Sequence, residues 1–138
     1  MSEIFSDPPI NVLPAQLDLG QCRLSSDTSF ALPAHMTGLA AGEYQVGVRA
    51  NHVSVRPTSP GNAAVPVDVE LAEISGSETF VHGRHGRFAM VARIDGVHDY
   101  RLGQRTTLYF DPARMFAFDR TGRLVAAPAS AQAARGAV

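Results

Sequence analysis

An all-β fold, a small OB-like barrel of short antiparallel strands, is what this sequence predicts, and three observations carry the prediction. Val65, Val67, Val69 and Leu71 alternate with Pro66, Asp68, Glu70 and Ala72, the period of a strand with one buried and one wet face. Turn signals recur at short intervals: Thr58 to Asn62, the Ser75-Gly76-Ser77 break, His85-Gly86 and Asp95-Gly96. No stretch supports a long helix, and no repeat shows the period of a solenoid or propeller. A β-sandwich is the runner-up architecture.

Length and composition set the frame. A chain of 138 residues makes one domain, or one domain with a tail. Its 45% hydrophobic content is enough for a packed core and argues against wholesale disorder. The net charge is −1 and the 12 basic residues, all Arg, are spread along the chain, so no block favours nucleic acid or an anionic membrane. Cys22 is the single cysteine, which excludes an internal disulfide and fits a reducing compartment. The N-terminus lacks the apolar core of a signal peptide, and no apolar run has the length of a membrane span. The expected location is the cytoplasm.

Taken in order, Met1 to Pro14 reads as an extended lead-in, because Pro8, Pro9 and Pro14 exclude a helix interior. Gln16 to Leu24 reads as a first strand. Ser25 to Ser29 is a polar turn, and Phe30 to Leu32 closes a short hairpin before Pro33. His35 to Gly42 is a loop or one helical turn. Tyr44, Val46 and Val48 mark a strand whose alternation continues through Val53 and Val55. The meander from Val65 to Ile94 follows, with strands on both sides of Gly76 and of Gly86. Gly76 reads as a bulge or corner between strands. Asp95-Gly96 sits where a two-residue hairpin turn would. Arg105 to Phe110 is a strand ended by Asp111-Pro112. Met115 to Phe118 and Arg123 to Val125 flank the turn Asp119 to Gly122. The Ala-rich tail, Ala127 to Val138, is expected to fray. This gives about eight or nine short strands.

Catalytic groups are sparse. His82 and His85 are spaced like a metal-ligand pair, but residues three apart on a strand point to opposite faces, so two exposed histidines are the expected reading. Ser75 and Ser77 lack the strand-to-helix elbow of a nucleophilic serine. A Gly-rich phosphate loop ending in Lys is missing, since the chain has no Lys. No enzymatic activity is expected. Arg49-Ala50-Asn51-His52 ends a strand with polar groups that serve either a partner or nearby backbone.

Several stretches line up in order with one family. Gly47-Val48-Arg49-Ala50-Asn51-His52 resembles a Gly-Ile/Val-Arg-Pro-Glu-His segment, and Glu73 to Thr79 a Glu-x-Leu-Gly-Ser-Glu-Thr turn. Leu102-Gly103-Gln104, Phe110-Asp111-Pro112 and Phe118-Asp119-Arg120-Thr121-Gly122 are similar to the Gly-Gln, Phe-Asp-Pro and Phe-Asp-x-x-Thr-Gly elements. Phe5 to Leu13 is similar to the exit from an ATPase domain. The resemblance covers residues 5–126 and is to the transport-associated OB (TOBE) domain, the C-terminal regulatory domain of ATP-binding subunits of carbohydrate and glycerol-phosphate ABC importers. Ala50-Asn51 stands where the family has Pro-Glu, which removes a carboxylate and a rigid φ. Ile74-Ser75 replaces a more apolar pair.

The resemblance divides the chain into a lead-in at 1–14, an OB-like TOBE domain at 15–126 and a tail at 127–138. It implies a non-catalytic regulatory and dimerisation role, in a piece cut from a longer importer subunit for sugars, polyols or glycerol phosphate. No cofactor is expected in this chain; ATP and Mg would belong to the attached ATPase domain. Expected partners are that ATPase domain, a second copy, the membrane subunits indirectly and a regulatory protein, with no nucleic acid. The location implied is cytoplasmic, peripheral to the inner membrane through the transporter complex. The contact residues implied are Arg49, Asn51 and His52, the turn Ser75, Gly76, Ser77, Glu78 and Thr79, and Phe118 with Asp119. The alternative is a free-standing OB-type sensor of a small oxyanion or sugar, with Ser75, Ser77, Thr79 and Arg49 as donors.

Overall fold

A computed structural model describes residues 10–128. Eleven strands and three short 3-10 turns make up the described residues, with no α-helix among them. Strands β1 (Ile10–Asp18), β2 (Gln21–Ser25), β3 (Thr28–Ala31), β4 (Gly42–Arg49), β10 (Phe116–Phe118) and β11 (Leu124–Ala126) form one sheet. Strands β5 (Val53–Ser54), β6 (Ala63–Ser75), β7 (Glu78–His85), β8 (Phe88–Asp95) and β9 (Arg105–Phe110) form the other. The orders are β11-β10-β4-β1-β2-β3 and β5-β9-β6-β7-β8, all antiparallel. The sheets curl around one core into a small, nearly closed OB-like barrel, as the alternation predicts.

Alternation explains the core directly. On β1 every second residue from Asn11 to Leu17 is buried, and on β6 Val65, Val67 and Val69 are. Val46 and Val48 of β4, Val81 of β7, Met90 of β8 and Leu108 and Phe110 of β9 meet them. Phe30 packs edge-on to Phe110, at 5.7 Å between ring centroids. Cys22 lies inside this core, where burial pushes its thiol up to about 12 and leaves it protonated and unreactive.

Eleven strands stand where eight or nine are expected, and six local details also differ from the sequence expectation. The first strand starts at Ile10 inside the expected lead-in. β1 pairs with β4 along its length but with β2 only from Gln16, so Pro14 lies where one edge is free and its missing N–H costs nothing. The expected single strand Gln16 to Leu24 is broken by a turn at Leu19 and Gly20, whose φ values of 52° and 75° reverse the chain. Leu19 is 92% exposed there, an apolar residue in a conformation that disfavours side chains. A 3-10 turn, Ala50–His52, separates Val53 from β4. Gly76 is the tip of the β6–β7 hairpin, with φ 61°, and the bulge falls between Val69 and Leu71.

The fifth difference concerns Asp95-Gly96. It is not a hairpin turn, because the chain leaves β8 and returns as β9 on the far side of β6. Gly96 instead donates its N–H to the Ser77 carbonyl at 2.6 Å. At the other end Ala127, placed in the tail by the sequence, is buried against Phe116 and Phe118. Residues 129–138 of that tail and 1–9 of the lead-in lie outside the described residues.

Asn11 ties the two sheets together. Its Nδ2 donates to the Val48 carbonyl on β4 at 3.1 Å and to the Val91 carbonyl on β8 at 2.9 Å. Its Oδ1 accepts the Val91 N–H at 2.7 Å. A side chain thus supplies hydrogen bonds to the edge of β8 that pairs with no strand.

Candidate functional site

The residues singled out by motif fall into two places. The first is the outer face of the six-stranded sheet. Phe116 and Phe118 flank the inward-facing Ala117, so both phenylalanines point away from the main core. They are nonetheless 5% and 4% exposed, because Ile10, Leu124 and Ala127 cover them. Gly47 makes this layer possible: a Cβ there would come within 2.8 Å of Ile10 Cδ1 and 3.0 Å of Phe118 Cε2. The Arg49 guanidinium lies 5.3 Å from the centre of the Phe116 ring, a cation–π contact on the rim of the layer. Val12, on the outward-facing side of β1, remains 39% exposed.

His52 and Asp119 border this face. His52 Nδ1 is buried with no hydrogen-bond partner among the described residues. Burial first, then the charges of Arg114 and Arg49, hold its pKa below the usual histidine value, so the ring stays neutral. Asp119 organises the β10–β11 turn. It accepts from the Thr121 hydroxyl at 2.6 Å, the Thr121 N–H at 2.9 Å and the Arg123 N–H at 3.0 Å. The Thr121 hydroxyl first and the Arg123 amide next lower its pKa.

The second place is the seam where β5 and β8, the two ends of the five-stranded sheet, lie against each other without pairing. A cleft of about 510 Å³ opens there between Asn51, Val53 and Ser54 on one side and Arg93, Ile94 and Asp95 on the other. The Ser75 to Thr79 turn supports it from below. Glu78 accepts from Arg93 Nε at 2.6 Å and pairs with its guanidinium. Thr79 is fully buried; its hydroxyl donates to the Gly96 carbonyl at 2.8 Å and accepts from the His98 N–H at 3.0 Å. Ser75 and Ser77 are exposed at the tip. The turn and Asn51 are therefore brought together around Arg93, whereas Arg49 and Phe118 belong to the other face.

The two histidines spaced as a ligand pair do not converge. His82 pairs with Glu73 at 2.9 Å on the outer surface. His85 points the other way and bonds Pro66 and Asp27. No cluster of three metal-binding side chains occurs among the described residues. Sequence reasoning missed Asn11, Phe116 and Arg93. Phe116 is signalled only by the Phe-Ala-Phe alternation, and Asn11 by a polar residue in an inward position.

A small antiparallel barrel with a second apolar layer on one sheet and a polar seam defines a β-barrel module of the OB type. The TOBE domain matches residues 46–118, and the chain belongs to that family. It is 33% identical over 130 residues to the sn-glycerol-3-phosphate import ATP-binding protein UgpC of Chromohalobacter salexigens, covering 91% of this chain and 34% of that protein. To the protein of the same name from Paracoccus denitrificans it is 28% identical, covering 83% of this chain and 31% of the relative. The chain spans about a third of the length of the curated relatives it matches. In fold it is similar to the cytoplasmic molybdate-binding protein ModG, in a structure with molybdate bound. The TM-score is 0.57 at 13% identity, covering 86% of this chain and 95% of the other.

Proposed function

We propose that this chain is a non-catalytic C-terminal regulatory and dimerisation domain of an ABC importer ATP-binding subunit, one that serves sugar, polyol or glycerol-phosphate uptake. The observation that carries this reading is the likeness of nearly the whole chain to one third of import ATP-binding proteins. The outer layer around Phe116 and Phe118 supports it, as a rigid, apolar-backed platform with Arg49 and Val12 at its rim for protein contact. The buried Phe118 and Thr79 would act by shaping this platform and the seam. The exposed Asn51, Ser75 and Ser77 with Glu78 at the seam, and Arg49, His52 and Asp119 at the outer face, would make the contacts. Gly76 would set the turn.

On this reading the partners are the attached ATPase domain, a second copy, the membrane subunits indirectly and a regulatory protein. ATP and Mg would be held by the ATPase domain, in the cytoplasm beside the inner membrane. No helix among the described residues is long and apolar enough to cross a membrane. An immunoblot of source-cell extract tests the reading. A band several times heavier than this chain is expected; a band at the size of 138 residues would overturn it.

A second reading, a small-ligand sensor, has in its favour that ModG shares the fold. The donors first considered for it are dispersed, since Arg49 is engaged with Phe116 and Thr79 with Gly96 and His98.

A further inference from the structure

One end of the six-stranded sheet meets a hairpin of the five-stranded sheet at a single histidine. β3 is the last strand of the first sheet, and the Ser26-Asp27 turn leading into it lies against His85, the last residue of β7. The ring is held from behind. Its Nδ1 is 2.6 Å from the Pro66 carbonyl of β6, which can only accept, so Nδ1 carries a hydrogen. Phe88 packs on the ring at 5.3 Å between centroids, and the side chain is 11% exposed. Nε2 is therefore the ring atom at which a second proton comes and goes.

Nε2 lies 3.0 Å from Asp27 Oδ1 and 3.0 Å from the Ser25 hydroxyl. The same Oδ1 accepts from the Ser25 hydroxyl at 2.6 Å and from the Thr28 hydroxyl at 3.4 Å. With the second proton on, Nε2–H donates to the carboxylate, and an ion pair that is also a hydrogen bond pins the turn. Without it, a ring lone pair faces a carboxylate oxygen and the contact becomes repulsive. The Ser25 hydroxyl cannot serve both sides, since its one hydrogen goes either to Asp27 or to Nε2.

Asp27 is free to leave, because its side chain is 68% exposed on a two-residue turn. The Ser25 hydroxyl first and His85 next hold its carboxyl below the usual range, so it stays charged while the ring gains or loses a proton. The other charged groups at this mouth are Asp68 of β6, Arg84 of β7, Arg105 of β9 and Arg87 of the β7–β8 turn. Arg84 pairs with Glu70 and Arg105 with Asp68. Arg87 has no ion pair among the described residues and opposes the imidazolium, which Asp27 favours.

We propose that His85 is a proton-operated clasp between the two sheets: as an imidazolium it holds the β2–β3 turn to the barrel mouth through Asp27, and it releases the turn when Nε2 loses its proton. One proton thus separates two states of the mouth, closed on the acid side and open on the basic side. The clasp uses none of the motif residues and does not depend on an attached ATPase domain. Its failure would leave the importer reading untouched, since that rests on polypeptide size.

The test is NMR of the 138-residue chain across the range in which histidines change charge, about pH 5 to 8. Ring nitrogen shifts should show both His85 nitrogens protonated at the acid end and Nε2 alone bare at the basic end. Between those ends the amides of the β2–β3 turn should lose about tenfold in hydrogen-exchange protection relative to those of β6, a reference that removes changes in whole-barrel stability. Asp27→Asn supplies an amide N–H that can donate to the neutral ring, so its turn should stay protected at the basic end. The His98 ring, bonded to the Asp95 carbonyl, should be unmoved by that substitution. Thermal melts establish that the variant is folded, and the wild-type shifts and protection decide even where it is not. A His85 ring with a bare Nε2 at the acid end, turn protection that does not change with pH, or a folded Asp27→Asn variant that loses protection as the wild type does would overturn the proposal.

Discussion

On the outer face of the six-stranded sheet Ile10, Phe116, Phe118 and Leu124 build a second apolar layer, while the outer face of the five-stranded sheet carries rows of ion pairs. Asp68 meets Arg105 at 3.3 Å, Glu70 meets Arg84 at 2.8 Å, Glu73 meets His82 at 2.9 Å, and Glu78 meets Arg93. Both sheets share one core, so the difference does not arise from the fold. It reflects the residues each sheet turns outward. Charged cross-strand pairs keep a sheet in water and discourage edge or face association, whereas an apolar layer over a sheet thickens it into a rigid wall.

That contrast makes unequal predictions. The largest effect belongs to Phe118→Ala, which opens a hole in a layer where Phe118 is 4% exposed. It should cost about 3 kcal/mol in urea-induced unfolding. A cost near zero would mean that the outer layer is decoration.

A smaller effect is expected from His52, at the boundary of the two faces. Its folded pKa lies below its unfolded value, so the unfolded chain binds more protons between the two. Its contribution is present above the ordinary histidine pKa near about 6.5 and is lost as pH falls through the lower folded value. Melting temperature should therefore drop on acidification below about pH 6.5, and His52→Gln should flatten that slope. Identical slopes for both proteins would remove His52 as the cause.

The smallest effect is expected on the charged face. Glu70→Gln breaks an ion pair whose two side chains are both 47% exposed. The change should stay within about 0.5 kcal/mol and shrink further in salt. A loss as large as that of Phe118→Ala would reverse the reading of the two faces.

The meander of β6, β7 and β8 was legible because Val65, Val67 and Val69 alternate cleanly and glycines mark both turns. The Leu19-Gly20 turn was not, since Leu is a poor residue for φ of 52° and hides the break. The Phe-Ala-Phe run misleads for another reason. Alternation identifies a strand but not its inner face, and here the small Ala117 faces the core while both large rings face out. The motif residues split between two places because local segments do not encode which sheet edge they will meet. The contact between His85 and Asp27 was illegible in principle, as the two lie 58 positions apart in the chain.

Asn11 has a mechanical consequence. β1 lies between β4 and β2, and its second residue is bonded to β4 and to β8 of the other sheet at once. A pull on the chain ahead of Ile10 therefore loads two ladders in shear and both sheets together, instead of peeling one edge open strand by strand. Whatever is tethered there and moves would drag the barrel as one body, with Asn11 as the cleat to which the rope is made fast.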